Sequence, residues 1–228
     1  NGSMYFSTTA ALLIVSTAVL CATQMKLVMG YFKQDKKESL IEVVSIDTQA
    51  RMVVARNLKT GKETREPYDA LVLSPGASPL RPGLPGIEDP RIRTLRDMGD
   101  MDAILELLNA QGGASLPGAL PSTALILGAG FIGLELAEQL RRRGLVVTLV
   151  EKLPHVLGVA DAEMTLPLQE ELARQGVELR LGRSVSAFEK EGERLVALLD
   201  DGERLACDLA VLSVGVRPET RLAREAGL

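Results

Sequence analysis

The stretch Ala124–Glu151, ALILGAGFIGLELAEQLRRRGLVVTLVE, decides the fold of this chain. Ala124–Leu127 is an apolar run of strand length, Phe131–Arg143 carries apolar residues at helical spacing, and Val146–Val150 is a second β-rich run. Between the first run and the helix stands Gly128-Ala129-Gly130-Phe131-Ile132-Gly133, a GxGxxG. The motif is weak alone and gains meaning where it follows a strand and opens a helix. Gly128 is expected to permit the tight turn, Gly130 to let backbone approach a diphosphate, and Gly133 to let helix pack on strand. The helix start then points unpaired N–H groups and a positive dipole end at the anion. Glu151 ends the second strand, where a carboxylate accepts hydrogen bonds from adenosine ribose hydroxyls and repels the extra phosphate of NADP. Residues 151–157 hold no Arg. The reading therefore favours NADH over NADPH, with Lys152 softening the contrast.

Downstream, a helix is expected around Ala162–Gln175, with Asp161 as N-cap and Pro167 kinking or restarting it. Val177–Leu181, Val185–Glu189, Leu195–Leu199 and Leu209–Val214 read as strands, those between Val185 and Leu199 forming an inserted antiparallel meander. Strands alternating with helices call for a parallel sheet covered on both faces. Upstream, Leu40–Ile46, Arg51–Arg56 and Glu63–Tyr68 are β-rich runs separated by turn-like segments, a small antiparallel meander. Ala70–Leu73 suits a buried parallel strand. Pro75–Pro90, with five prolines and three glycines, is a loop. Leu95–Leu108 has helical spacing, and Asn109–Ser122 is a linker containing the domain boundary. The fold class is α/β. A Rossmann-like βαβ domain with parallel sheet and meander is expected over residues 116–228, and a partial FAD-type domain over 38–115.

Composition narrows the functions. At 228 residues, with 46% hydrophobic and 25% charged residues, the chain can build real cores. A net charge of −4 and pI near 5.3 leave no electrostatic footprint for nucleic acid. Arg141–Arg143 cluster at a helix end, where they complement its dipole. Aromatics are 3% and Trp is absent, so base-stacking platforms are not expected. Cys21 and Cys207 form no CxxC pair and no ligand cluster with the single His155, so no metal is expected and a reducing cytoplasm fits. Asn1-Gly2-Ser3 before Met4 reads as an expression-tag remnant. Thr9–Ala22 is an apolar run of about 14 residues, short of the ~20 that span a bilayer and lacking a basic start. It reads as a buried strand or helix, and residues 1–37 receive no functional account.

Three further features carry a resemblance to a known family. Tyr68–Pro79 (YDALVLSPGASP) resembles the strand and glycine turn that family members place beside FAD. Gly128–Glu135 (GAGFIGLE) is similar to the family's NADH-binding motif, including the acid after the last glycine. Ser213–Pro218 (SVGVRP) resembles the glycine turn that closes the nicotinamide domain. Together, over about residues 38–228, the chain resembles the FAD-dependent pyridine nucleotide-disulfide oxidoreductases. The closest look is to the branch of coenzyme A-disulfide reductases, NADH oxidases and NADH peroxidases. The resemblance implies that Gly76 lies near FAD and that Gly215 and Glu135 lie near NADH, Glu135 toward the nicotinamide. It also implies electron flow from NADH to FAD to a redox cysteine, which meets a small-molecule disulfide, peroxide or oxygen. The cofactors carry the electrons, and the protein positions their rings.

The chain also departs from that pattern. Family members have a separate first GxGxxG for FAD and a redox cysteine soon after it. Here the glycine motif at Gly128–Gly133 stands alone, Cys21 lies in an apolar run with no matching flank, and Cys207 precedes an apolar strand. Both cysteines read as inert, so no catalytic residue is assigned. The family would continue beyond Leu228 into a second FAD segment and a dimerisation domain, so a truncated chain is expected. Tight FAD binding is not expected of such a chain, and a homo-oligomer stays open. The primary reading is part of an NADH-dependent flavoprotein oxidoreductase supplying mainly NADH binding. The alternatives are a non-catalytic NADH-binding module, or an interaction or membrane-associated protein acting through Thr9–Ala22.

Overall fold

The structure, a computed structural model, describes residues 41–110, 123–192 and 194–228. The chain divides into two units, one containing residues 41–78 and 218–228, the other residues 79–217. Thr9–Ala22, Cys21 and most of the linker Asn109–Ser122 lie outside the described residues.

In the first unit, β1 (Ile41–Asp47), β2 (Met52–Asn57) and β3 (Glu63–Pro67) form an antiparallel meander in the order β1-β2-β3, as the spacing predicts. Its turns are closed by side chains that accept backbone N–H groups. Asp47 takes those of Gln49 and Ala50, and Asn57 those of Lys59 and Thr60. Ala70–Leu73 is not a strand. A parallel strand needs a neighbour for its N–H and C=O groups, and no described strand pairs with it; Val72 is 68% exposed. Short β4 (Ala77–Pro79) and β13 (Val216–Pro218) span the two points where the chain passes between the units, and within the first unit α4 (Arg221–Glu225) packs against β1.

The second unit is built on a five-stranded sheet of order β5-β12-β6-β7-β8. Its strands are β5 (Ile92–Thr94), β6 (Thr123–Leu127), β7 (Val146–Glu151), β8 (Val177–Leu181) and β12 (Leu209–Leu212). All four ladders are parallel. α1 (Met98–Ala110), α2 (Phe131–Arg142) and α3 (Ala162–Arg174) contribute to one core with the sheet. A second, antiparallel sheet of β9 (Val185–Glu191), β10 (Arg194–Leu199) and β11 (Arg204–Cys207) contributes to the other.

The period of two along each strand divides the apolar residues between these cores. Ala124, Ile126, Val147, Leu149, Leu209 and Val211 face the helices. Leu125, Leu127, Val150, Ala210 and Leu212 meet Phe188, Leu195, Ala197 and Leu199 of the antiparallel sheet. The expected double cover is therefore present, but one cover is a sheet. α2 buries Gly133, Leu136, Ala137 and Leu140, spaced to form one helical stripe. At its far end Arg141 donates to the carbonyls of Leu145 and Gln175 at 2.6 and 2.9 Å, a firmer tie than the expected dipole effect. α3 runs unbroken through Pro167 rather than restarting there, and Asp161 sits at the N-cap without a side-chain capping bond.

Candidate functional site

The chain leaves β6, runs outward through β7 to β8, and later returns on the opposite side of β6 as β12. The carboxyl ends of β6 and β12 thus flank a topological switch point, where open α/β sheets leave a crevice. The glycine turn occupies one side of it. Gly128 has φ +100°, and its N–H donates to the Val150 carbonyl at 2.8 Å. A Cβ there would stand 2.4 Å from the Ser213 carbonyl oxygen, so only glycine fits. A Cβ on Gly133 would stand 1.9 Å from the Gly128 carbonyl oxygen, which fixes how closely α2 rides on the turn. Gly130 differs from both. Its backbone is extended, with φ −77°, and a Cβ there would meet nothing within 4 Å. Open space of this kind is what a diphosphate approaching the turn requires.

Gly130 is the N-cap of α2, and no side chain caps that end. The first helical bond runs from Leu134 N–H to the Gly130 carbonyl at 3.0 Å. The N–H groups of Gly130, Phe131, Ile132 and Gly133 therefore have no acceptor within the helix. An anion held here would also meet the positive end of the helix dipole.

Glu151, at the end of β7, is drawn into the same turn. Its Oε2 accepts the Ala129 N–H at 2.7 Å and its Oε1 the Leu153 N–H at 2.8 Å. The Ala129 carbonyl accepts the Leu157 N–H at 2.8 Å, and Leu157 adopts φ +51° to make that bond. Ala129 is fully buried. The end of β7 and the loop after it are thus tied to the glycine turn through both backbone groups of one residue. Each carboxylate oxygen keeps a further lone pair for a ligand hydroxyl.

Ser213, at the end of β12, bridges the crevice. Its N–H donates to the Leu127 carbonyl at 2.8 Å, and its hydroxyl donates to the Gly128 carbonyl at 2.9 Å. Sequence reading quotes Ser213 only as the start of a glycine-turn motif. The signal for its role is its place one residue past a strand that neighbours β6. Gly215, with φ +111°, follows two residues later, and its carbonyl accepts the Leu80 N–H at 2.9 Å.

The remaining candidates fall further out. Phe131 is 61% exposed at the first helical position, and Ile132 is half-buried against the helix-side core. Glu135 is half-buried and accepts the Gln139 side-chain amide at 3.2 Å. It stands in the second turn of α2, not the first, so an acid at the dipole end does not explain it. Gly76, with φ +76°, belongs to the first unit, where its carbonyl accepts the Glu219 N–H at 2.9 Å. Cys207 is buried, and burial, with a smaller contribution from the Asp208 charge, pushes its thiol up to about 12. At neutral pH it is an unreactive thiol. No helix among the described residues is long and apolar enough to cross a membrane.

Comparison with known proteins identifies a family and several relatives. The profile of the family described as pyridine nucleotide-disulphide oxidoreductase matches residues 14–228. The coenzyme A disulfide reductase of Staphylococcus aureus (strain JH9) is 30% identical over 196 residues, which is 86% of this chain and 41% of that protein. Among solved structures, reduced Bacillus anthracis CoADR-RHD is 33% identical with a TM-score of 0.76, over 92% of this chain and 38% of that one. The water-forming NADH oxidase of Lactobacillus brevis, solved bound to NADH, is 31% identical with a TM-score of 0.69, over 81% and 39%. The chain spans about two fifths to one half of the length of the curated relatives it matches. The expected glycine turn sits at a switch point, and the family profile covers nearly every residue around it: the chain belongs to the pyridine nucleotide-disulphide oxidoreductase family.

Proposed function

We propose that this chain binds NADH in the crevice between the ends of β6 and β12, as the nicotinamide-nucleotide part of a flavoprotein oxidoreductase. The observation that carries the reading is the contrast between glycines. Gly128 and Gly133 are walled in by backbone, whereas Gly130 opens onto empty space beside uncapped N–H groups. In this reading the diphosphate lies over Gly130–Ile132, where those N–H groups donate to it. The adenosine ribose lies against Glu151, and Ser213 keeps the Gly215 turn in place on the nicotinamide side. Glu135, one turn into α2, faces the nicotinamide end, and residues 38–115, with Gly76, form the part that meets FAD. FAD, when bound, would supply the redox chemistry between NADH and a disulfide, peroxide or oxygen acceptor. The chain's own contribution is to hold the dinucleotide extended and to exclude the larger cofactor through Glu151.

The test is calorimetric titration of NADH into the wild type and Gly130→Val. The variant has room for its side chain, so its melting temperature should stay close to the wild type. Its affinity should fall by at least about 100-fold, because the branched carbons occupy the diphosphate position. Unchanged affinity in a folded variant overturns the assignment.

A further inference from the structure

The proposal above assigns the choice between NADH and NADPH to Glu151 alone, yet a second pair of charges begins at a residue whose backbone bonds to that of Glu151. β8 lies in register against β7 with Glu151 opposite Leu181, so the residues leaving the two strands are neighbours. The Arg183 N–H donates to the Glu151 carbonyl at 3.0 Å, and the Gly182 N–H to the Leu153 carbonyl at 2.9 Å. This puts the backbone of an arginine, distant in sequence from the strand-end acid, against the backbone of that acid. Lys152, the next residue along, is exposed.

The Arg183 guanidinium is engaged. Its Nε lies 2.7 Å from Asp201 Oδ2. The neighbouring Asp200 carboxyl is held below its ordinary value, chiefly by the Ser184 hydroxyl and also by the Arg183 charge. Asp201 is itself fixed, because its Oδ1 accepts the Glu203 N–H at 3.0 Å in the turn between β10 and β11. The pair is open to water on both sides, with side-chain exposures of 47% and 32%. A contact of this kind is weak enough for a competing anion to replace. An arginine is also the side chain best shaped to take a phosphate through two parallel N–H groups.

We propose that Asp201 is a specificity-determining residue: by pairing with Arg183 it withholds a guanidinium that would otherwise take the 2′-phosphate of NADPH. The inference rests on the placement of NADH over the glycine turn with its ribose at Glu151. Asp201 touches no cofactor in this account and acts only through Arg183.

The test titrates NADH and NADPH separately into the wild type, Asp201→Asn and the double variant Asp201→Asn/Arg183→Gln. Asparagine keeps the Oδ1 acceptor of the turn, so the fold has no reason to suffer. Asp201→Asn should tighten NADPH binding about fivefold, the scale of one exposed ion pair redirected, while NADH affinity stays within about twofold. The double variant should lose the gain. A merely structural role for Asp201 would move both cofactors together. If the wild type binds NADH and Asp201→Asn leaves the NADPH-to-NADH ratio unchanged, this inference is overturned and the site assignment stands. If the wild type binds neither nucleotide, the site assignment itself fails.

Discussion

Glu151 has a structural task besides the ribose contact proposed for it, because it ties its own loop to the glycine turn at Ala129. The Glu151 carboxylate accepts two backbone N–H groups, one from the glycine turn and one from its own loop. Replacing it with arginine therefore does two things at once. Glu151→Arg should shift preference toward NADPH by about 1–3 kcal/mol, the value of a charge-assisted hydrogen bond exchanged for a repulsion. It should also lower stability, because the Ala129 and Leu153 N–H groups lose their acceptors. Glu151→Gln, which keeps one of the two acceptors, should lose less stability than Glu151→Arg. Paired titrations and thermal melts separate the effects, and an unmoved cofactor ratio in Glu151→Arg rules out Glu151 as the ribose acid. The steric roles of Gly128 and Gly133 were legible in sequence because each position of the motif imposes a different steric demand. Those of Ser213 and Arg183 were not, since both depend on contacts between strands far apart in the chain.

Among the elements, legibility followed length. β6, α2, β7 and β8 lie within one or two residues of their expected bounds because a long enough apolar pattern selects its own period. β5, β11, β13 and α4 escaped notice, being three to five residues long, too short to show a period. β5 is held instead by a charged clasp at its start. Arg91 donates to both oxygens of Asp89 at 2.8 and 2.7 Å, the pair is largely buried, and the Arg91 carbonyl accepts the Ala210 N–H of β12 at 3.0 Å. The hydrogen bonds from Arg91 keep the Asp89 carboxyl below the usual carboxylate range, against the opposing pull of burial. A lowered value in the folded state means the clasp stabilises fully above the unfolded value of about 3.9 and fades as the pH falls through the folded one. Asp89→Asn should cost about 1–3 kcal/mol at neutral pH. The deficit should narrow as the pH falls below about 4 in melts of both proteins. A deficit independent of pH would show that packing around Asp89, not its charge, holds β5.

For the whole molecule, the parallel sheet is the frame that places the glycine motif at a switch point. The strand order places β12 beside β6, so the two glycine turns meet at one sheet end and Ser213 can clamp them together. The fold class was legible from the alternation of strands and helices, whereas the antiparallel cover on the second face needed β11, which gave no sequence signal. The account stands on the N–H groups at the start of α2 receiving a diphosphate. Amide hydrogen exchange of the full chain, with and without NADH and resolved at single residues, tests this directly. In the free protein Gly130, Phe131 and Ile132 should exchange rapidly, having no acceptor in the helix, and NADH should slow them more than any other amides of the parallel-sheet unit. If NADH binds and those three amides exchange as before, the diphosphate lies elsewhere and the central claim is wrong.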